Sequence, residues 1–70
     1  MKEVVTSEIE CAVEFFLEEG DMGQQAVRQF VASASRAVKV DNPHIESRWI
    51  DKEFIRVWKE LVGEPLEKFL

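Results

Sequence analysis

Seventy residues are enough for one small domain, and a chain with 46% hydrophobic and 33% charged residues is globular rather than disordered. Its formal net charge of −5 disfavours non-specific binding to nucleic acid, because a polyanion attracts clustered Lys and Arg. The single cysteine, Cys11, excludes an internal disulfide and favours a reducing compartment, so we expect a cytoplasmic protein.

Membrane insertion is not expected from this chain. No stretch approaches the roughly 20 apolar residues that are needed to span a bilayer. The first residues, Met1 to Val5, also lack the long apolar run of a signal peptide. We therefore expect a protein without a membrane partner.

The first predicted helix is acidic. Ser7 and Glu10 have the spacing of a capping box, which predicts that the helix begins at Ser7, and Gly20 predicts its left-handed end. Residues recurring at about 100° per residue form its predicted inner face: Ile9, Ala12, Val13, Phe16 and Leu17. The first 21 residues carry one basic side chain against seven acidic ones.

The second predicted helix has the opposite charge. Between Met22 and Val40 the only charged residues are Arg28, Arg36 and Lys39. Asp21 with Gln24 is a second capping pattern, and the short turn makes the two helices neighbours. The predicted inner face comprises Ala26, Val27, Phe30, Val31, Ala34, Ala37 and Val38.

A third helix follows the break at Asp41, Asn42 and Pro43, and it is predicted to start around Pro43. Its predicted core stripe is Ile50, Phe54, Val57, Trp58 and Leu61, and Gly63 and Pro65 close it. Residues 66–70 are predicted to form one more turn. No strand pattern or repeat occurs, so we expect a single all-α domain over residues 1–70, a compact three-helix bundle with a short C-terminal fourth helical turn.

The most distinctive predicted surface is a basic face on the third helix, opposite the core stripe and within an arc of about 80°. It consists of Arg48, Lys52, Arg56 and Lys59. Ile45 is predicted to project into this arc, and Trp49 lies at its edge. Such a mixture suits a partner helix that bears carboxylates, with Trp49 as the apolar anchor. The alternative is an ordinary solvated face beside Glu46, Glu53 and Glu60.

Phe15 is the second predicted contact residue, because the helical wheel places it with Cys11 on the acidic side of the first helix. One interpretation is a contact with a second subunit, in which the acidic face of one chain meets the basic face of another. The other interpretation, slightly favoured on the residues alone, is that the third helix or the tail covers Phe15 within one chain.

The residues predict no enzymatic activity. A dyad of Cys11 and His44 would need an unsupported tertiary contact and a third, orienting group. Glu10, Glu14 and Glu18 align at four-residue intervals, but no further ligand is spaced to complete a metal site. We expect no metal, no cofactor and no small-molecule substrate.

The expected function is that of a small acidic regulatory or adaptor protein that binds another protein and that could form a homodimer. The main alternative is a DNA-binding helix-turn-helix, in which Gln24, Gln25 and Arg28 read base edges while Arg36 and Lys39 contact phosphates. The acidic first helix and the bulky Phe16 count against this alternative, so the residues favour a protein partner over nucleic acid.

Overall fold

The computed structural model describes residues 2–69 and contains three α-helices followed by a short 3-10 helix. Their bounds are Lys2–Glu19 for α1, Gln24–Asp41 for α2, Ser47–Val62 for α3 and Leu66–Phe69 for the 3-10 helix. No strand occurs within residues 2–69. The predicted all-α three-helix bundle with a short C-terminal turn is confirmed, while Leu70 lies outside the described residues.

Helices α1 and α3 run in the same direction, with α2 antiparallel to both. At their N-terminal ends the Lys2 ammonium lies 5.3 Å from the centre of the Trp49 ring. One turn further along, the Thr6 hydroxyl donates a hydrogen bond to Glu53. α1 packs more extensively on α3 than on α2.

An aromatic cluster joins all four elements. The ring centroids of Phe16 and Phe30 are 4.3 Å apart and stacked, and Phe30 meets Phe54 edge-on at 5.6 Å. Trp58, which is fully buried, contacts Phe69 of the 3-10 helix at 5.7 Å. Burying such rings supplies most of the stabilisation that a small domain can obtain.

The predicted start of α1 at Ser7 is wrong, because the helix already begins at Lys2. Ser7 is an exposed mid-helix residue, so it and Glu10 form no capping box. The extra turn exists because Val5 is buried in the core and Thr6 bonds to Glu53. These tertiary contacts outweigh the modest helix propensity of β-branched residues.

The starts of α2 and α3 also differ from the prediction. The Asp21 carboxylate accepts a hydrogen bond from the Gly23 N–H at 3.0 Å, so it orders the turn before α2 and makes no capping box with Gln24. α3 begins at Ser47 rather than Pro43. The chain instead forms a turn over residues 43–45, in which the side chain of Ile45 is buried in the core.

Two residues assigned to inner faces are exposed. Leu61 is 38% exposed near the end of α3, and Ala37 is exposed on α2. The remaining apolar residues of the three predicted faces are buried or partly buried. Gly20 has φ of 84°, which confirms the predicted left-handed end of α1, and Gly63, predicted to close α3, ends that helix in the same conformation with φ of 88°.

Candidate interaction surfaces

The four side chains of the basic face on α3 are all exposed. Arg56 is already engaged within the chain: its Nε and Nη2 donate to the two carboxylate oxygens of Glu53 at 3.0 and 2.7 Å. Its Nη1 donates to Glu60 at 2.8 Å. These contacts raise the pKa of Arg56, and Glu53 is the largest cause. Arg56 therefore stabilises α3 more than it offers a free charge.

The other three bases of the face are different. Arg48, Lys52 and Lys59 make no ion pair and no side-chain hydrogen bond with any residue between 2 and 69. Their spacing puts them on one side of α3, with Lys52 one turn after Arg48 and Lys59 two turns after Lys52. The positive charge that a partner would meet is therefore carried by these three residues.

Apolar groups border this basic face, although not as predicted. Ile45 is 7% exposed and packs into the core, so the prediction that it projects into the arc is wrong. Trp49 is half-buried against the core, with the Lys2 ammonium over its ring. On the other border, Ile55 and Val62 are partly buried and line the rim of the core.

Glu53 links the basic face to α1. The hydrogen bonds from Arg56 lower the pKa of the Glu53 carboxyl, burial opposes this shift, and the hydrogen bond from the Thr6 hydroxyl adds to it. Its side chain is only 14% exposed. Glu53 therefore connects α1 to α3 within the fold and does not act as an exposed negative charge on the basic face.

The outer face of α1 carries exposed apolar side chains among carboxylates. Phe15 is 65% exposed and Val4 is 64% exposed, with the free thiol of Cys11 exposed between them. The favoured expectation that α3 or the tail covers Phe15 is wrong, because α3 packs against the inner side of α1 and the 3-10 helix contacts α2 and α3 but not α1. Carboxylates without an ion pair among residues 2–69 surround Phe15: Glu8, Glu14, Glu18 and Glu19.

The outer face of α2 is polar and contains no acidic side chain over residues 24–40. Gln25 and Arg28, proposed for base reading, are exposed there together with Gln29 and Arg36. Lys39, in contrast, donates to the carbonyl oxygens of Pro43 and Ile45 at 3.0 and 2.5 Å. It therefore holds the turn before α3 and is not free for a phosphate.

One feature between α2 and α3 was missed by the sequence analysis. A shallow groove runs from Val40, which is 72% exposed, past Ser35 and Asp51 to Ile55 and Leu66. Helical periodicity separates inner from outer residues on each helix, but it does not report how far apart two packed helices stand. No pattern in the sequence would have revealed this groove.

Within residues 2–69 no group of three or more His, Cys, Asp or Glu side chains is arranged to hold a metal ion. His44 is exposed in the turn before α3, and Cys11 lies on the outside of α1. None of the helices in this part of the chain is both long and apolar enough to cross a membrane. Comparison with protein-family models, curated proteins and solved structures found no significant match to this chain.

Proposed function

We propose that this chain is a small, non-enzymatic regulatory or adaptor protein that acts by binding another protein, and that the outer side of α3 is its contact element. One observation carries the proposal: Arg48, Lys52 and Lys59 are exposed on one side of α3, and no carboxylate of residues 2–69 pairs with them. The fourth base, Arg56, bonds to Glu53 and Glu60, whereas these three can contact a partner.

The chemistry of this surface defines the partner. Three unpaired bases attract a segment that bears carboxylates and speed its approach, although each exposed ion pair adds little affinity. Affinity then depends on apolar contacts with the exposed part of Trp49 and the rim residues Ile55 and Val62. An amphipathic acidic helix meets both requirements.

The test is capture of a protein partner by the immobilised chain from cells that express it, followed by binding of the purified partner. The α3 variant combines Lys52→Glu with Lys59→Glu. The matched control combines Arg28→Glu with Arg36→Glu on the outer face of α2, and it changes the net charge by the same amount. We expect the wild type and the control to bind the partner, and the α3 variant to bind at least about tenfold more weakly.

Circular dichroism should be unchanged in both variants, because all four positions are exposed. Equal binding by the α3 variant and the wild type would overturn α3 as the contact element. A combination of Trp49→Ala and Arg56→Glu is a poorer test, since Trp49 packs on the core and Arg56 bonds to two glutamates.

DNA binding is the second candidate, favoured by the outer face of α2, where Gln25, Arg28, Gln29 and Arg36 are exposed without a neighbouring acid on the same helix. Glu8, Glu14, Glu18 and Glu19 of α1, which make no ion pair within residues 2–69, oppose it. The same two variants separate the candidates: DNA binding predicts that a mixed-sequence duplex binds the wild type in low salt, and that Arg28→Glu with Arg36→Glu abolishes this binding.

The proposal includes a cytoplasmic location. Cys11 is an exposed free thiol, and such a thiol persists in a reducing compartment but pairs with other thiols in an oxidising one. Fluorescence microscopy of the tagged chain in its own cells tests this part.

A further inference from the structure

Two outer stripes of equal length lie on α1 and α3. Each contains five residues separated by steps of four, three, four and three, the spacing by which helices pack side by side. The α1 stripe is Val4, Glu8, Cys11, Phe15 and Glu18, and the α3 stripe is Arg48, Lys52, Ile55, Lys59 and Val62. At 1.5 Å per residue each stripe extends roughly 21 Å.

The two stripes match position by position when they are laid antiparallel with Cys11 opposite Ile55. Apolar residues then face apolar residues at two positions, acids face bases at two, and an aromatic ring faces an ammonium group at one. The facing pairs are Val4 with Val62, Glu8 with Lys59, Cys11 with Ile55, Phe15 with Lys52, and Glu18 with Arg48. A parallel arrangement keeps one acid-base pair and sets Glu18 against Val62 and Val4 against Arg48.

The fold leaves most of the α1 stripe and the three bases of the α3 stripe exposed, whereas Ile55 and Val62 of the α3 stripe are partly buried and expose only part of their side chains. Phe15 and Val4 are about two-thirds exposed, and the acids and bases of the stripes make no ion pair among residues 2–69. Pairing like with like is less favourable, because two antiparallel α1 stripes give their carboxylates no base and two antiparallel α3 stripes set Lys52 against Lys59.

We propose that the α1 stripe of one copy of this chain docks antiparallel on the α3 stripe of a second copy. This proposal rests on the proposed function in one respect, namely that the outer side of α3 binds protein. It adds that a second copy of the chain is one of the proteins that bind there. α1 and α3 are parallel within the chain. A two-fold axis that sets the helices of two copies antiparallel would therefore place α1 against α1 and α3 against α3, and not α1 against α3. The contact is therefore head-to-tail, and a dimer is the first step of a longer series.

The first test is light scattering on the full chain over a range of concentrations. We expect the wild-type mass to rise past that of a dimer, and the association to weaken between about 0.05 and 0.5 M salt. Phe15→Glu blocks the α1 stripe, and Lys52→Glu with Lys59→Glu blocks the α3 stripe. Each variant alone should be monomeric, whereas their mixture should form a one-to-one complex and stop there.

That mixing experiment identifies the contact. A mixture that stays monomeric would overturn pairing of α1 with α3, and so would a variant that associates alone as strongly as the wild type. Phe15→Glu leaves α3 free, so it should still bind the captured protein partner. A monomeric wild type that binds this partner through α3 would overturn the self-association alone, whereas partner binding that ignores Lys52→Glu with Lys59→Glu would overturn the proposed function.

Disulfide trapping tests the register. With oxidised glutathione as the electron acceptor, Ile55→Cys should link to the native Cys11 of another copy and give dimers and higher species on a non-reducing gel. The double variant Ile55→Cys with Cys11→Ser lacks the native thiol and should give no linked species. Ser33→Cys keeps Cys11 and adds a thiol at an exposed position of α2, and it should give no linked species either. Equal linking by the Ser33→Cys control would overturn the assignment.

The direction is tested in a Cys11→Ser background by mixing Val4→Cys with Val62→Cys. The antiparallel contact places these two positions opposite each other, so the mixture should give linked dimers. A parallel contact separates them by roughly the full 21 Å of the stripe, and no disulfide spans that distance. Absence of the linked dimer, when Ile55→Cys still links to Cys11, would overturn the antiparallel direction.

Discussion

The inner and outer sides of α1 carry neighbouring phenylalanines with opposite surroundings. Phe16 stacks on Phe30 at 4.3 Å and approaches Trp58, whereas Phe15 is 65% exposed among unpaired glutamates. The inner side is explained by the fold, since burial of aromatic rings stabilises a chain of this size. The fold gives no reason for a phenylalanine on the outer side.

The same contrast holds for α3. Its inner side contributes Phe54 and Trp58 to the core, and its outer side carries Lys52 and Lys59 without partners in residues 2–69. A residue that the fold does not need is free to be selected for binding. The outer sides of α1 and α3 are for this reason the places where we locate function.

The largest effect is expected at the inner side of α3. Trp58→Ala should cost about 3–5 kcal/mol of unfolding free energy, because it empties the centre of the aromatic cluster. This loss is a large share of the roughly 4–10 kcal/mol of unfolding free energy expected for a chain of this size. Urea unfolding followed by circular dichroism measures the loss.

Trp58→Phe is the matched control. The indole N–H is buried with no acceptor among residues 2–69, so its removal costs no hydrogen bond. We expect a loss of about 1–2 kcal/mol, from the smaller ring alone. A Phe variant as unstable as the Ala variant would show that the indole makes a specific contact that the core does not explain.

The next effect compares the two neighbours on α1 directly. Phe16→Ala should lower the free energy of unfolding by about 2–4 kcal/mol, because Phe16 is partly buried against two rings. Phe15→Ala should change it by less than about 0.5 kcal/mol. Unfolding in urea at a concentration where the chain is monomeric provides the comparison. Equal losses would place Phe15 within the folded core and remove the case for an outer stripe.

Most residues of the inner faces could be predicted from the sequence, because burial largely follows helical periodicity, with Ala37 and Leu61 as the exceptions. Phe30 and Val38 on α2, for example, face inward as the 100° spacing requires. Helix starts could not be predicted in this way. The first turn of α1 depends on Val5 and Thr6, and Thr6 contacts a residue 47 positions away. Local capping rules favoured Ser7 because they contain no information about such distant contacts.

The candidate surfaces were predictable to the same extent. The exposure of the basic face and the pairing of Arg56 with Glu60 follow from positions one helical turn apart. The use of Lys39 as a hydrogen-bond donor to the turn before α3 does not, because it depends on the backbone path of residues 42–46. The burial of Ile45 depends on the same path.

The third and smaller loss of stability is expected where the inner and outer sides of α3 meet, at Glu53. The pKa of this carboxyl is lowered in the folded chain, chiefly by Arg56, so its stabilising contribution is complete above the ordinary glutamate value of about 4.3 and is lost as the pH falls through the lower folded value. Glu53→Gln should therefore cost about 1–2 kcal/mol at neutral pH and progressively less in acid. Urea unfolding of the wild type and of Glu53→Gln at neutral and acidic pH measures this difference.

Glu60→Gln is the control, because it removes the exposed partner of Arg56 and should cost only a few tenths of a kcal/mol of unfolding free energy. The free energies of unfolding of the wild type and Glu53→Gln could also differ by the same amount in acid. That result would mean that the shape of the Glu53 side chain, and not its charge, joins α1 to α3.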